Sequence, residues 1–184
     1  MELVDCMYHA GGCNGNVLEY AVKHIFNNGV TYRKDYPYHP TDLKVCNTKA
    51  KRYSKNKFVP FKISQDKPNE WKTFVHKYGG MSITYHHSTF VTKGEVMAKG
   101  RADYSNAVTM SCRETPKSGI NHAVAVVGYG AINGTEYMLV RNSWGLTNIE
   151  HKDGYFQLKV GACNSATRPY YGFIYDTCGT SKDR

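Results

Sequence analysis

Residues 119–130 read GINHAVAVVGYG and residues 139–145 read LVRNSWG. His122 opens an apolar run that extends to Tyr129, and Asn142 and Trp144 follow a second run, Glu136 to Arg141. Short apolar or alternating runs bounded by Gly, Asn and Thr are how strands read, and Met81 to Tyr85 and Tyr155 to Val160 share that pattern. Upstream the period is helical. Val17 to Asn28 sets Leu18, Ala21, Val22, Ile25 and Phe26 on one stripe, with Asn14 expected to cap its start and Gly29 to end it. A shorter helix is expected after Pro68, through Trp71, Phe74, Val75 and Tyr78 to the stop at Gly79-Gly80. Helical signal early and strand signal late is the layout of an α+β protein with segregated parts. The Pro/Asp/Lys-rich stretch Lys34 to Lys62 is the expected link between lobes, and no internal repeat interrupts the pattern.

The chain has 184 residues, enough for one domain or two small lobes that bury roughly 70% of the unfolded surface. Its 41% hydrophobic content, fifteen tyrosines and seventeen glycines suit a β-rich globular protein with many turns. No run approaches the roughly 18 apolar residues a membrane span needs, and the first residues lack the basic-then-apolar layout of a signal peptide. The net charge of +9 is concentrated in Lys44 to Lys62, among Asn, Ser and Thr, where it reads as a solvated loop. Neither a nucleic-acid partner nor a membrane partner is expected.

Six cysteines, Cys6, Cys13, Cys46, Cys112, Cys163 and Cys178, allow 15 complete pairings, and the spacing alone does not choose one. Without a CxxC or a zinc-like framework they are expected to form structural disulfides in an oxidising compartment. Asn133-Gly134-Thr135 is an N-glycosylation triplet in a turn-like setting, which agrees weakly with secretion.

His122 alone is more often a packing residue than a catalyst, and so is Asn142 at a strand end. On two strands that pair as neighbours they offer an imidazole with an amide to hold it, and Trp144 a screen against water. A metal site from His9, His86 and His87 carries little weight, because vicinal strand residues point to opposite faces. No metal or other cofactor is expected.

Six further segments bear on the reading: Glu2-Leu-Val-Asp-Cys6, Gly12-Cys-Asn-Gly15, Asn28-Gly-Val-Thr leading to Tyr36-Pro-Tyr38, Asn121-His-Ala-Val124 with Val127-Gly-Tyr-Gly130, Val140-Arg-Asn-Ser-Trp-Gly145, and Gly154-Tyr155. In this order they resemble the papain-like, cathepsin-like cysteine peptidases over nearly the whole chain. The resemblance implies an α+β, papain-like two-lobe fold: residues 1–45 as the remnant of a truncated helical lobe and 46–184 as a β-barrel-like lobe carrying the histidine and asparagine. Together they would form one incomplete papain-like peptidase domain.

It also implies peptide-bond hydrolysis by a Cys-His-Asn set. His122 is similar to the general base, Asn142 to its orienting amide and Trp144 to its shield. Gly15 falls at the glycine pair bordering the cleft, Asn16 stands in place of the second glycine, and Asn121 lies at a cleft position. The family's nucleophile, in a Cys-Gly-Ser-Cys-Trp type motif, and its oxyanion glutamine precede the segment at which this sequence starts. Cys6 and Cys13 match disulfide positions and are not expected to replace the nucleophile. The resemblance pairs Cys6 with Cys46, and Cys112 with Cys163 or Cys178, and places the partner of Cys13 in the preceding segment. By itself the chain is thus expected to be inactive and poorly stable, able to associate through exposed helical-lobe surface. Completed by an N-terminal segment it would take a polypeptide substrate. Location is expected to be lysosomal or secreted. The alternative is a catalytically inactive homologue acting as a binding or inhibitory module. Departures from the family are Asn16, Met138 in place of a common tryptophan, and the longer stretch Leu146 to Asp153.

Overall fold

The computed structural model describes residues 1–7, 11–41, 43, 45–55, 57–64, 67, 69–86, 119–145 and 154–175. Three helices, α1 (Glu2–Cys6), α2 (Leu18–Asn28) and α3 (Glu70–Tyr78), accompany eight strands among these residues. The strands are β1 (Val30–Thr31), β2 (Arg52–Tyr53), β3 (Phe58–Ile63), β4 (Met81–Tyr85), β5 (His122–Ile132), β6 (Thr135–Arg141), β7 (Tyr155–Lys159) and β8 (Tyr170–Tyr175). β1 and β2 form a two-stranded antiparallel ribbon, and the rest form a sheet in the order β3-β8-β4-β5-β6-β7. The architecture is α+β, and the large sheet stays open between β3 and β7 instead of closing into a barrel. The chain divides into two compact units, Met1–Phe61 with Phe173–Arg184, and Lys62–Gly172.

In the second unit the core is one face of the sheet. Antiparallel register aligns Met81 with Val126, Ile83 with Val124, Val126 with Val140, and Met138 with Leu158, and all of these are buried. α3 adds Trp71, Phe74 and Val75 at helical spacing and ends at Gly79, whose left-handed backbone lets its N–H reach the Val75 carbonyl. Phe74 lies so close over Gly172 that a Cβ there would fall 2.2 Å from its ring. β5 runs three residues past its expected end at Tyr129. A bulge between Val126 and Gly128 resets the register, and Ile132 then pairs with Thr135 across Asn133-Gly134. Positive φ at Asn133 (49°) and Gly134 (77°) is what a two-residue turn with the right-handed strand twist demands.

The first unit is organised around buried carboxylates. Glu2 accepts from His24 Nε2 (3.1 Å), the Thr31 N–H (2.9 Å) and Arg52 Nε (2.9 Å). Burial alone pushes its carboxyl up, but these hydrogen bonds and the Arg52 charge outweigh it and hold the pKa below the ordinary 4.5. Asp5, with no exposed surface, accepts from the Tyr36 hydroxyl and His39 Nε2, both at 2.9 Å, and from the Leu43 N–H at 3.3 Å. Burial, and then the Asp5 carboxylate, raise the Tyr36 phenol against an opposing contact from the Asn47 N–H. The Cys6–Cys46 disulfide closes the same region, with Arg52 Nη2 at 3.7 and 3.6 Å from its two sulfurs.

Asn14 does not cap α2. It sits in a 3₁₀ turn, Gly12–Asn14, and α2 starts at Leu18 after Val17, whose N–H donates to Asn16 Oδ1 at 2.6 Å. Gly29 ends the helix as expected, at φ 77°, with its N–H on the Ile25 carbonyl. Of the α2 stripe only Val22 is buried; Val17 and Tyr20, beside it, are 57% and 52% exposed.

Candidate active site

His122 is the first residue of β5 and pairs with Tyr85, the last of β4. This register stands the imidazole beside the Tyr85 ring, edge-on at 5.6 Å between centroids. Asn142 directly follows β6, the other neighbour of β5, and its N–H donates to the Gly154 carbonyl at 2.8 Å. Two strands thus deliver a ring and a carboxamide to the same edge.

Between them, His122 Nε2 and Asn142 Oδ1 are 2.9 Å apart. The Ser143 N–H also points at Oδ1, from 2.8 Å, and a backbone N–H only donates, so the atom facing the ring is the carbonyl oxygen. Nε2 must therefore donate. In the neutral ring this leaves the lone pair on Nδ1, so the amide selects a tautomer and fixes the ring plane. Trp144 stacks on the imidazole with centroids 4.6 Å apart and planes 28° apart, covering one face of the ring while its own side chain is 38% exposed. A covered hydrogen bond competes less with water.

The approach to His122 is anchored from behind. The Asn121 N–H donates to the Tyr85 carbonyl at 3.2 Å, and Asn121 itself is exposed. His86, buried, donates its own N–H to the Cys163 carbonyl and its Nδ1–H to the Gly119 carbonyl. Of the expected site residues, the structure brings together His122, Asn142 and Trp144, with Asn121 adjacent in sequence. Gly15 (φ 103°) and Asn16 belong to the first unit, where the Asn16 carboxamide contacts Val17 N–H and Met7 Sδ. Sequence reasoning did not single out Tyr85 or the Ser143 N–H. The run Met81 to Tyr85 reads as a strand, and its alternation puts Tyr85 on the buried face of β4, but the register against His122 is a long-range property.

Cys6 and Cys46 form the expected bond, and Cys163 is also disulfide-bonded. Cys112, Cys178, His9, His87 and the stretch Leu146 to Asp153 lie outside the described residues. Cys13 is exposed. Among the described residues no group of three or more His, Cys, Asp or Glu side chains has metal-holding geometry, and no helix is long and apolar enough to cross a membrane.

A family model described as papain family cysteine protease matches residues 1–173. Cysteine proteinase COT44 of Brassica napus is 35% identical over 186 residues, covering 95% of this chain and 51% of that protein. Thiol protease aleurain of Arabidopsis thaliana is 32% identical over 179 residues, covering 94% of this chain and 46% of its own length. The chain thus spans about half the length of these relatives. The digestive procathepsin L 3 of Tenebrio molitor larval midgut superposes with a TM-score of 0.71 at 22% identity, covering 92% of this chain and 53% of that one. A Carica candamarcensis cysteine protease, CMS1MS2, solved in complex with E-64, gives 0.67 at 24% identity over 95% of this chain and 76% of that one. At those identities the superpositions speak for the fold alone. The family match along nearly the whole chain, together with the relatives above 30% identity, means that this chain belongs to the papain family of cysteine proteases.

Proposed function

We propose that His122 and Asn142 are the base and the orienting amide of a Cys-His-Asn peptidase whose nucleophilic cysteine and oxyanion glutamine lie in polypeptide outside these 184 residues. The observation that carries this reading is the hydrogen bond from His122 Nε2 to Asn142 Oδ1 under the Trp144 ring. With Nε2 donating, Nδ1 is the atom that takes a thiol proton and forms a thiolate–imidazolium pair. The thiolate attacks the peptide carbonyl, the imidazolium protonates the leaving amine, and water activated by the same nitrogen hydrolyses the thioester. Asn142 keeps the ring in plane through each transfer. By resemblance Gly15, Asn16 and Asn121 are proposed as substrate-contacting positions, Asn16 standing where the family has glycine. On this reading residues 1–45 are the portion of the helical lobe within the sequence, and 46–184 are the lobe carrying the histidine. A polypeptide substrate and a lysosomal or secreted setting follow, the latter supported by the disulfides at Cys6–Cys46 and Cys163.

The test is reconstitution with an N-terminal segment bearing the Cys-Gly-Ser-Cys-Trp type motif, assayed on dipeptidyl fluorogenic substrates. The 184 residues alone should give no turnover that a thiol alkylator abolishes. The completed protein should give alkylator-sensitive turnover that drops about 10²- to 10⁴-fold in His122→Ala, the range for losing a general base. A completed protein that keeps most of its rate in His122→Ala refutes the assignment.

A further inference from the structure

We propose that Asn133 carries an N-linked oligosaccharide at the tip of the β5–β6 hairpin. Asn133-Gly134-Thr135 is the single Asn-x-Ser/Thr triplet with x other than proline in the sequence. The Asn-Gly pair by itself is explained by turn chemistry, since both residues have positive φ. Thr135 is not required by that turn. It opens β6 opposite Ile132 and completes the acceptor triplet with a hydroxyl two residues beyond the asparagine.

Three features of the place fit an acceptor. Asn133 and Gly134 are both exposed, and a Cβ built on Gly134 meets nothing within 4 Å, so the tip stands in open space. The Asn133 carboxamide makes no hydrogen bond among the described residues, whereas those of Asn16, Asn28 and Asn142 are engaged. The tip is also remote from the catalytic pair. β5 places His122 at one end and Ile132 at the other, and eleven steps at about 3.3 Å each put the acceptor about 35 Å away along the strand. A bulky glycan there leaves His122 and Asn142 open. The disulfides supply the compartmental argument, because the oxidising lumen that forms Cys6–Cys46 is where such glycans are attached.

The donor is a polyprenyl-pyrophosphate-linked oligosaccharide. Asn133 Nδ2 forms a bond to the anomeric carbon of the first sugar, the bond from that carbon to the pyrophosphate oxygen breaks, and polyprenyl pyrophosphate and one amide proton leave. No electrons are transferred to an outside acceptor. The proposal is independent of the peptidase assignment.

The full 184-residue chain, fused behind a cleavable secretory leader, is translated into microsomes, and mobility is scored on chains protected from added protease. The expected result is one discrete upward step, reversed by peptide N-glycosidase, kept in Thr135→Ser and lost in both Asn133→Gln and Thr135→Val. Valine preserves β-branching at the start of β6, and attachment to the nascent chain does not wait on folding, so loss in that variant reads the hydroxyl. A protected wild-type chain without the step, or a step that survives Asn133→Gln, overturns the proposal.

Discussion

Among side chains with almost no exposure, Met1–Phe61 contributes Asp5, whereas Lys62–Gly172 contributes a mostly apolar and aromatic set that includes Trp71, Ile83, Tyr85, Met138 and Leu158, with Ser165. The first unit surrounds buried carboxylates with donors and closes with a disulfide; the second covers one face of a continuous sheet mainly with apolar groups, beside the buried but uncharged Gln157, Asn164 and Ser165 and the disulfide-bonded Cys163. Polar networks are costly when half-satisfied, so the first interior depends on every partner being present and correctly protonated. Apolar burial is indifferent to protonation. The histidines repeat the contrast. His24 and His39 face carboxylates in the first unit, while His122 in the second faces a neutral amide. The amide fixes the ring through Nε2 and leaves the lone pair on Nδ1, which suits a group that takes and returns a proton.

The largest expected effect is on the first unit. Cys46→Ala opens a loop with a sequence separation of 40 and should cost about 4 kcal/mol by the loop-entropy relation, read as a lowered denaturation midpoint. A reducing agent should reproduce that loss in wild type on top of the loss from opening the Cys163 disulfide, and in the variant only the Cys163 part should remain. Next, Leu158→Ala, at a fully buried position of β7, should cost about 3 kcal/mol from lost transfer energy and the residual cavity, equally at pH 4 and pH 7. A marked pH dependence of that cost would break the contrast between the interiors.

Glu2→Gln should cost about 2 kcal/mol at neutral pH, because Arg52, His24 and the Thr31 N–H lose a charged acceptor. Its pKa is depressed in the folded state, so its stabilisation is present above the ordinary 4.5 and is lost as pH falls through the lower folded value. The protection of the Thr31 amide against hydrogen exchange, corrected for the intrinsic pH dependence of exchange, should fall toward acid in wild type and follow a flatter profile in the variant. The smallest effect is alkaline. Burial pushes the Tyr170 phenol up to about 12, so the stability it provides is present below the ordinary 10 and fades as pH rises toward 12. Tyr170→Phe should remove one late step from the tyrosinate absorbance titration with little change at neutral pH.

The strands β4 to β7 were legible because half-buried strands advertise themselves by alternation, and α2 and α3 because their stripes recur at helical spacing. β3 was hidden inside the expected link, since Pro60 and the flanking lysines mask its pattern; Pro is tolerated there because β3 is the outermost strand of its sheet. The two-residue strands β1 and β2 are too short for any period to register. Asn14 carried a valid capping signal, but Gly11 and Gly12, both at positive φ, turn the chain so that the helix starts four residues later.

The sequence by itself determined where the chain turns and which faces are apolar, because glycine φ preferences, helical stripes and strand alternation act within a few residues. It also marked His122, Asn142 and Trp144 as partners by their place at strand ends. Only the tertiary structure decided that Tyr85 stands beside His122, that the Asn142 carbonyl meets the His122 ring, and that Glu2 and Asp5 hold the first unit from inside. Those features depend on register across strands and on donors arriving from 20 to 50 residues away, as with Arg52 on Glu2, and no local preference encodes a partner at that distance.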